Sequence, residues 1–206
     1  MQYIMGRARG RPRKFDADQA LGNALLVFWT KGYAGASLDE LADAMAMKRP
    51  SIYNAFGDKQ SLYRAALDAF QERLNSGLGS LLEASDVKST LNQFFTRALD
   101  VYTSGETPLG CFIFCTAPAE AITHPDVRDD ILAITTRTDK SLKGFFQSAQ
   151  KTGRFPAETD PTAAAQLTQA TLHSLALRAR AGQPRATLNR MAKGAVDIIC
   201  GSKIID

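Results

Sequence analysis

Apolar residues recur along this chain with the spacing of helical faces. Leu21, Ala24, Leu25, Phe28 and Trp29 follow the i, i+3, i+4, i+7, i+8 pattern, and Gly32 after Lys31 supplies a stop, so a first helix is predicted over about 16–31. Ser37-Leu38-Asp39-Glu40 has the capping-box pattern and starts a short helix that runs through about Met45. After the Ala46-Met47 junction, Arg49 to Phe56 forms another short helix, with Pro50 tolerated in the first turn and Gly57 as the stop. Asp58 caps a longer fourth helix that carries Leu62, Ala66, Ala69, Phe70, Leu74, Leu78 and Leu81 and is weakened late by Gly77 and Gly79.

Four further faces have the same period: Leu91, Phe94, Phe95, Ala98 and Tyr102; Val127, Ile131, Thr135, Leu142, Phe145 and Phe146; Ala164, Leu167, Thr171 and Leu175; Leu188, Met191, Ala192, Ala195, Ile198 and Ile199. The most apolar stretch, 109–117, follows a Gly/Pro loop and is expected to form a buried helix. Breaks fall at 105–108, at His124-Pro125, at 153–161 and at 182–184, and no alternating β-branched run lies between them. The expectation is an all-α protein of about nine helices.

Composition adds little until the charge is located. The 206 residues hold 25 Lys and Arg against 21 Asp and Glu, a formal net charge of +4. Residues 1–14 contain five basic residues and no acid, which leaves 20 basic against 21 acidic in the rest. The excess positive charge is therefore a terminal arm. No apolar run approaches the roughly 20 residues of a bilayer span, and three cysteines do not make a disulfide framework, so a cytoplasmic protein is expected.

Two short helices across a tight junction, with an amphipathic helix and a basic arm before them, have the layout of a helix-turn-helix unit whose second helix enters the major groove. In that second helix Ile52 and Phe56 face inward, which leaves Lys48, Arg49, Ser51, Tyr53 and Asn54 outward. Arg and Asn can read guanine and adenine edges, and Tyr and Ser hydroxyls can reach phosphates. Arg9, Arg11, Arg13 and Lys14 alternate with Gly and Pro, which suits an extended strand in an A·T minor groove, and Gly10-Arg11-Pro12 resembles the core of an AT-hook.

Residues 16–62 resemble the DNA-binding domain of the TetR family of bacterial transcriptional regulators. The matching positions are Ala20-Leu21, Ala24, Phe28, Gly32-Tyr33, Ser37-Leu38, Leu41-Ala42, Ile52-Tyr53, Phe56, Lys59 and Leu62, and the string from Arg49 to Lys59 resembles one common branch. The resemblance implies a homodimer, a three-helix DNA-binding head, a linking fourth helix, and a helical body in which the last two helices pair across a two-fold axis. It implies DNA contacts from Ser37, Pro50 and Lys59 besides the outward residues above. The chain departs from the family pattern at Ala46 (commonly glycine), Met47 (small and β-branched), Lys48 (often a capping serine) and Ala55 (often histidine).

The domains expected are the arm at 1–14, the helix-turn-helix unit at 15–60 and a ligand-binding and dimerisation body at 61–206. A ligand cavity in the body has as candidate walls Phe94, Phe95, Tyr102 and Cys111, together with Phe112, Cys115, Phe145 and His173. The dimer face is expected at Leu167, Thr171, Ser174 and Leu175 on one helix and at Ala192, Ala195, Ile198 and Ile199 on the next. Cys111 and Cys115 share a helix face, but no further Cys or His stands at metal-ligand spacing, so no metal and no cofactor is expected.

The leading function is a repressor that binds a palindromic operator in double-stranded DNA and leaves it when a small-molecule effector binds. An all-helical enzyme acting on an apolar molecule is the alternative from another class. It lacks a Ser/His/Asp set, a phosphate loop or a metal cluster, and the Asp129-Asp130 pair sits in a charged stretch. A third reading is an architectural DNA binder, for which the body would be packed without a cavity.

Overall fold

A computed structural model describes residues 16–79 and 86–201, with side chains left aside at 75–79. Among these residues there are nine helices and no strand. They are α1 (Ala17–Gly35), α2 (Leu38–Ala44), α3 (Arg49–Phe56), α4 (Lys59–Gly79), α5 (Val87–Tyr102), α6 (Phe112–Glu120), α7 (Pro125–Lys151), α8 (Pro161–Arg180) and α9 (Arg185–Ile199). None is long and apolar enough to cross a membrane. The arm residues Arg9, Arg11, Arg13 and Lys14 lie outside the described residues, as does Leu81.

Side-chain caps fix most of the helix starts. The Asp16, Asp58, Asp86 and Asp160 carboxylates each accept a backbone N–H in the first turn of the helix that follows, at 2.6–3.1 Å. These bonds favour the ionised form and hold Asp58 and Asp160 below the usual carboxylate range. At α2 the capping box is complete: Glu40 N–H donates to Ser37 Oγ and Ser37 N–H donates to the Glu40 carboxylate. Lys48, at the N-cap of α3, makes no side-chain cap, since an ammonium has no lone pair to offer an amide.

The first helix carries a break at its expected end. Gly32 sits at φ 72°, ψ 173°, and the chain resumes one helical turn to Gly35 beyond it. The Trp29 carbonyl accepts a bond from Arg180 Nη1 of α8 at 3.1 Å, and the same nitrogen donates to the Leu109 carbonyl at 3.1 Å. Trp29 Nε1 donates to that Leu109 carbonyl too. One guanidinium thus holds α1, the approach to α6 and the end of α8.

Phe28 and Trp29 of α1, Tyr63 and Phe70 of α4, and Phe112 of α6 form a continuous aromatic cluster with ring centroids 5.1–6.1 Å apart. All five are buried, and aromatic pairs of this kind add about 0.5–1.5 kcal/mol each beyond their buried area. Tyr63 Oη bonds Thr116 Oγ1 at 2.8 Å inside the cluster, while Thr116 Oγ1 donates to the Phe112 carbonyl. The head is therefore seated on the body through a shared core. At its rim Arg64 grips Asp130 with two bonds of 2.6 and 2.9 Å, and Gln60 donates to Asp126, which ties the start of α4 to α7.

Gly110 explains how tightly the loop before α6 meets α8. At φ 69° it occupies the left-handed region, and a Cβ there would lie 2.4 Å from the Ala176 carbonyl oxygen and 2.9 Å from Cys115 Sγ. Only glycine satisfies both the backbone angle and the clearance. Around this junction α8 packs along α7 and α9, and its outward side carries the exposed Leu167 and Leu177.

Candidate nucleic-acid interface and internal cavity

The α2–α3 pair is shaped by its turn. Ala46 takes φ 51°, the one non-glycine residue in the left-handed region among the described residues. The turn is closed by Met47 N–H donating to the Ala42 carbonyl at 2.9 Å. Ile52 is buried and Phe56 half-buried, so α3 anchors on the spacing expected of it. Lys48, Arg49, Pro50, Ser51, Tyr53 and Asn54 are all exposed, with Tyr53 showing nearly half of its surface at 46%. A concave strip between the start of α1 and this face runs past Gln19, Asn23, Lys48, Ser51 and Asn54.

Three of the expected DNA-contacting residues already have partners. Arg49 Nε donates to Asp39 Oδ1 at 2.7 Å, an exposed pair that positions the guanidinium beside the α2 start. Ser37 is exposed but spends its hydroxyl within the capping box. Lys59 places its ammonium 4.5 Å above the Tyr33 ring, and partial burial lowers its pKa. The Lys31–Glu40 ion pair and the Tyr33–His124 ring contact at 5.2 Å, neither signalled by helical periodicity, brace the same region.

The body holds a partly open cavity of about 180 Å³ between α4, α5, α6, α7 and α8. Phe94, Tyr102, Cys111 and His173 line it, as expected of them. Phe95, Phe112 and Phe145 are buried but are not on its wall; Phe95 turns away because helical neighbours one residue apart point about 100° from each other. Cys115 turns toward Gly110 instead. The polar lining was invisible to an apolar pattern: Gln71 of α4 and Gln169 of α8 are buried on this wall. Burial pushes the Cys111 thiol up to about 12 and raises Cys115, so both remain thiols at neutral pH.

The expected dimer residues divide. Leu167 and Ile198 are exposed, Ser174 and Ala195 half-buried, whereas Thr171, Leu175, Ala192 and Ile199 are buried within the chain, where α8 and α9 pack on each other and on α5. The outward strip instead gains Leu177 and Gly194, and a Cβ added at Gly194 would meet open space. Of the carboxylates weighed for an enzyme, Asp130 is engaged by Arg64 and Asp129 lies 3.8 Å from its neighbour Arg128 on the surface.

Comparison with known proteins settles the lineage. The profile described as "Bacterial regulatory proteins, tetR family" matches residues 21–66, and that described as "Tetracyclin repressor-like, C-terminal domain" matches 87–195, more than half of the chain. The chain belongs to the TetR family. A TetR-family relative, the HTH-type transcriptional repressor ComR of Escherichia coli, is 30% identical over 188 residues, 90% of each chain. The TetR-family regulator CifR, in a cysteine mutant form complexed with 26 bp double-strand operator DNA, shares 30% identity with a TM-score of 0.81, over 90% of this chain and 98% of that one. A TetR-family regulator of Cytophaga hutchinsonii, 24% identical with a TM-score of 0.79 over 95% of this chain, shares the fold. This TetR-family chain is thus a DNA-binding transcriptional regulator and not an enzyme.

Proposed function

We propose that the protein is a repressor that binds a palindromic operator as a homodimer and is released from it by a small molecule held in the body. The observation that carries this reading is α3, which buries Ile52 and offers Lys48, Arg49, Ser51, Tyr53 and Asn54 outward on one face. Lys48 and Ser51 stand at the N-terminal end of that helix, where the backbone dipole attracts phosphate. The repressor ComR and the operator-bound CifR support the DNA reading by likeness. The apolar outward strip of α8 and α9 supports a two-fold partner, because paired recognition helices match paired half-sites. The arm at 1–14 adds minor-groove and phosphate attraction from Arg9, Arg11, Arg13 and Lys14, in a cytoplasmic setting.

The cavity supplies the release. Gln71 and Leu74 of α4 stand on its wall, and α4 begins directly after the recognition helix. A ligand that presses on α4 in one protomer and its partner changes the separation of the two α3 helices, and its differential affinity for the two separations is what lowers DNA affinity.

Sequencing of fragments selected from random DNA by the purified protein tests this reading. A palindrome with half-sites spaced by about one helical turn is expected, and a single unpaired site would refute dimeric reading. Tyr53→Ala should weaken binding to the selected site with helicity and assembly unchanged. Deleting residues 1–14 should flatten the log–log salt dependence by roughly 0.9 for each phosphate that the arm neutralises.

A further inference from the structure

The cavity has a polar signature more specific than its size. At about 180 Å³ it is a little larger than the roughly 150 Å³ space that accepts a benzene-sized guest. Phe94, Val101, Ile134 and Leu172 make its wall mainly apolar. Two buried atoms of the lining residues have no partner, Gln169 Oε1 and His173 Nε2. They come from one turn of α8, four residues apart on the same side.

Gln169 is 6% exposed, and its amide nitrogen donates to the Asp139 carboxylate. That bond fixes the amide orientation, because only the NH₂ end can face a carboxylate, and so commits Oε1 as the unpaired acceptor. His173 lies against Phe114 with ring centroids 3.7 Å apart, and burial lowers its pKa, which keeps the imidazole neutral. The Tyr102 hydroxyl and the Cys111 thiol belong to the same lining, and burial keeps both protonated.

Charge is disfavoured inside. An anion would face the Gln169 acceptor with Asp139 behind it, and an ammonium would find one free acceptor for three protons while losing its hydration. Arg73 and Arg97 at the rim are exposed, and each already has another interaction. What the lining lacks is a neutral donor for Gln169 Oε1 that can also pair with the imidazole nitrogen of His173.

We propose that this cavity binds an uncharged, single-ring-sized apolar molecule bearing a hydroxyl group, which donates to Gln169 Oε1 and lies within hydrogen-bond reach of His173 Nε2, either tautomer of which a hydroxyl can meet. The assignment deepens the effector reading and rests on it for the consequence at DNA. The ligand class itself is read from binding alone. Filling both orphaned sites satisfies two buried polar atoms at once, so an analogue without the hydroxyl forgoes most of the gain.

Calorimetry on the full-length protein with three single-ring probes that share an ethyl-substituted benzene tests the class: para-ethylphenol, ethylbenzene and para-ethylbenzoate. The phenol is expected to bind at least about tenfold more tightly than ethylbenzene, and the benzoate to give no heat of binding. Gln169→Leu and His173→Leu should each cut the preference for phenol over ethylbenzene severalfold, with ethylbenzene binding retained as the sign that the cavity is intact. Equal or tighter binding of ethylbenzene, tighter binding of the benzoate, or binding by none of the three overturns the proposal. Release of a selected operator fragment is followed separately by fluorescence anisotropy. Phenol binding without release upholds the ligand class and refutes the effector reading, while release by the benzoate alone does the reverse.

Discussion

Ala46 shows how a single methyl sets a stability cost at the centre of the DNA-binding unit. A left-handed backbone costs an L-residue about 1–2 kcal/mol, part of which glycine gives back as unfolded-chain entropy. Ala46→Gly should therefore stabilise the protein by about 0.5–1 kcal/mol, read as a higher midpoint in urea, without altering the residues of α3. Glu40 gives a second check. Its hydrogen bonds from Lys31, then those of Ser37, pull its pKa to about 2. A folded-state value below the unfolded one means that the contribution is complete above the ordinary carboxylate range and disappears as pH falls toward 2. Glu40→Gln should lower stability at neutral pH by a modest, salt-sensitive amount, since the group is exposed, and the gap from the parent should close in acid. A gap that stays constant with pH would refute the charged carboxylate, held by Lys31 and then Ser37, as its source.

Gly110 decides the packing of whole elements. Gly110→Ala forces either the 105–111 loop or α8 to retreat and imposes an unfavourable φ, and should cost about 2–4 kcal/mol by thermal or urea unfolding. Helices were legible in the sequence because most have a periodic apolar face and because Ser37 and Asp58 mark starts by local chemistry; the caps at Asp16, Asp86 and Asp160 came from the structure. Even the end of the first helix was legible, since Gly32 breaks it where the sequence places a stop, and the extra turn to Gly35 follows from residues 33–36 closing on themselves. The cavity wall was only half legible. Periodicity reports which face is buried, and it cannot say which buried side chain stops short of its neighbour. Phe94 and Phe95 are equally apolar, yet one borders the cavity and the other fills the core. Gln71 and Gln169 carry no apolar signal at all, and the role of Gln169 comes from a bond made across 30 residues, to Asp139.

For the molecule as a whole, the proposed homodimer turns on the exposed apolar residues of α8 and α9. Leu167, Leu177 and Ile198 are exposed there at 44%, 65% and 57%, and Gly194 leaves room for close approach. Ile198→Asp together with Leu167→Asp should shift the protein to a monomer in sedimentation at micromolar concentration and cut operator affinity by at least about tenfold, through the loss of the second half-site. Retention of the dimer would move the interface elsewhere. Leu175 and Ile199 follow the helical period but are buried within the chain, which the period alone does not distinguish from an outward face.

The clearance at Gly110 also apportions compliance among the walls of the cavity. Where a backbone carbonyl sits 2.4 Å from the position of a missing methyl, and Arg180 stitches the end of α8 to the loop before α6 and to α1, that side of the cavity has no slack to give. Another part of the wall, Gln71 and Leu74 on α4, belongs to a helix that begins just after α3 ends. In the proposed release, a guest slightly too large for its space would meet an anvil on the α8 side, and the strain would have to pass into α4 and the contacts that seat the reading head on the body.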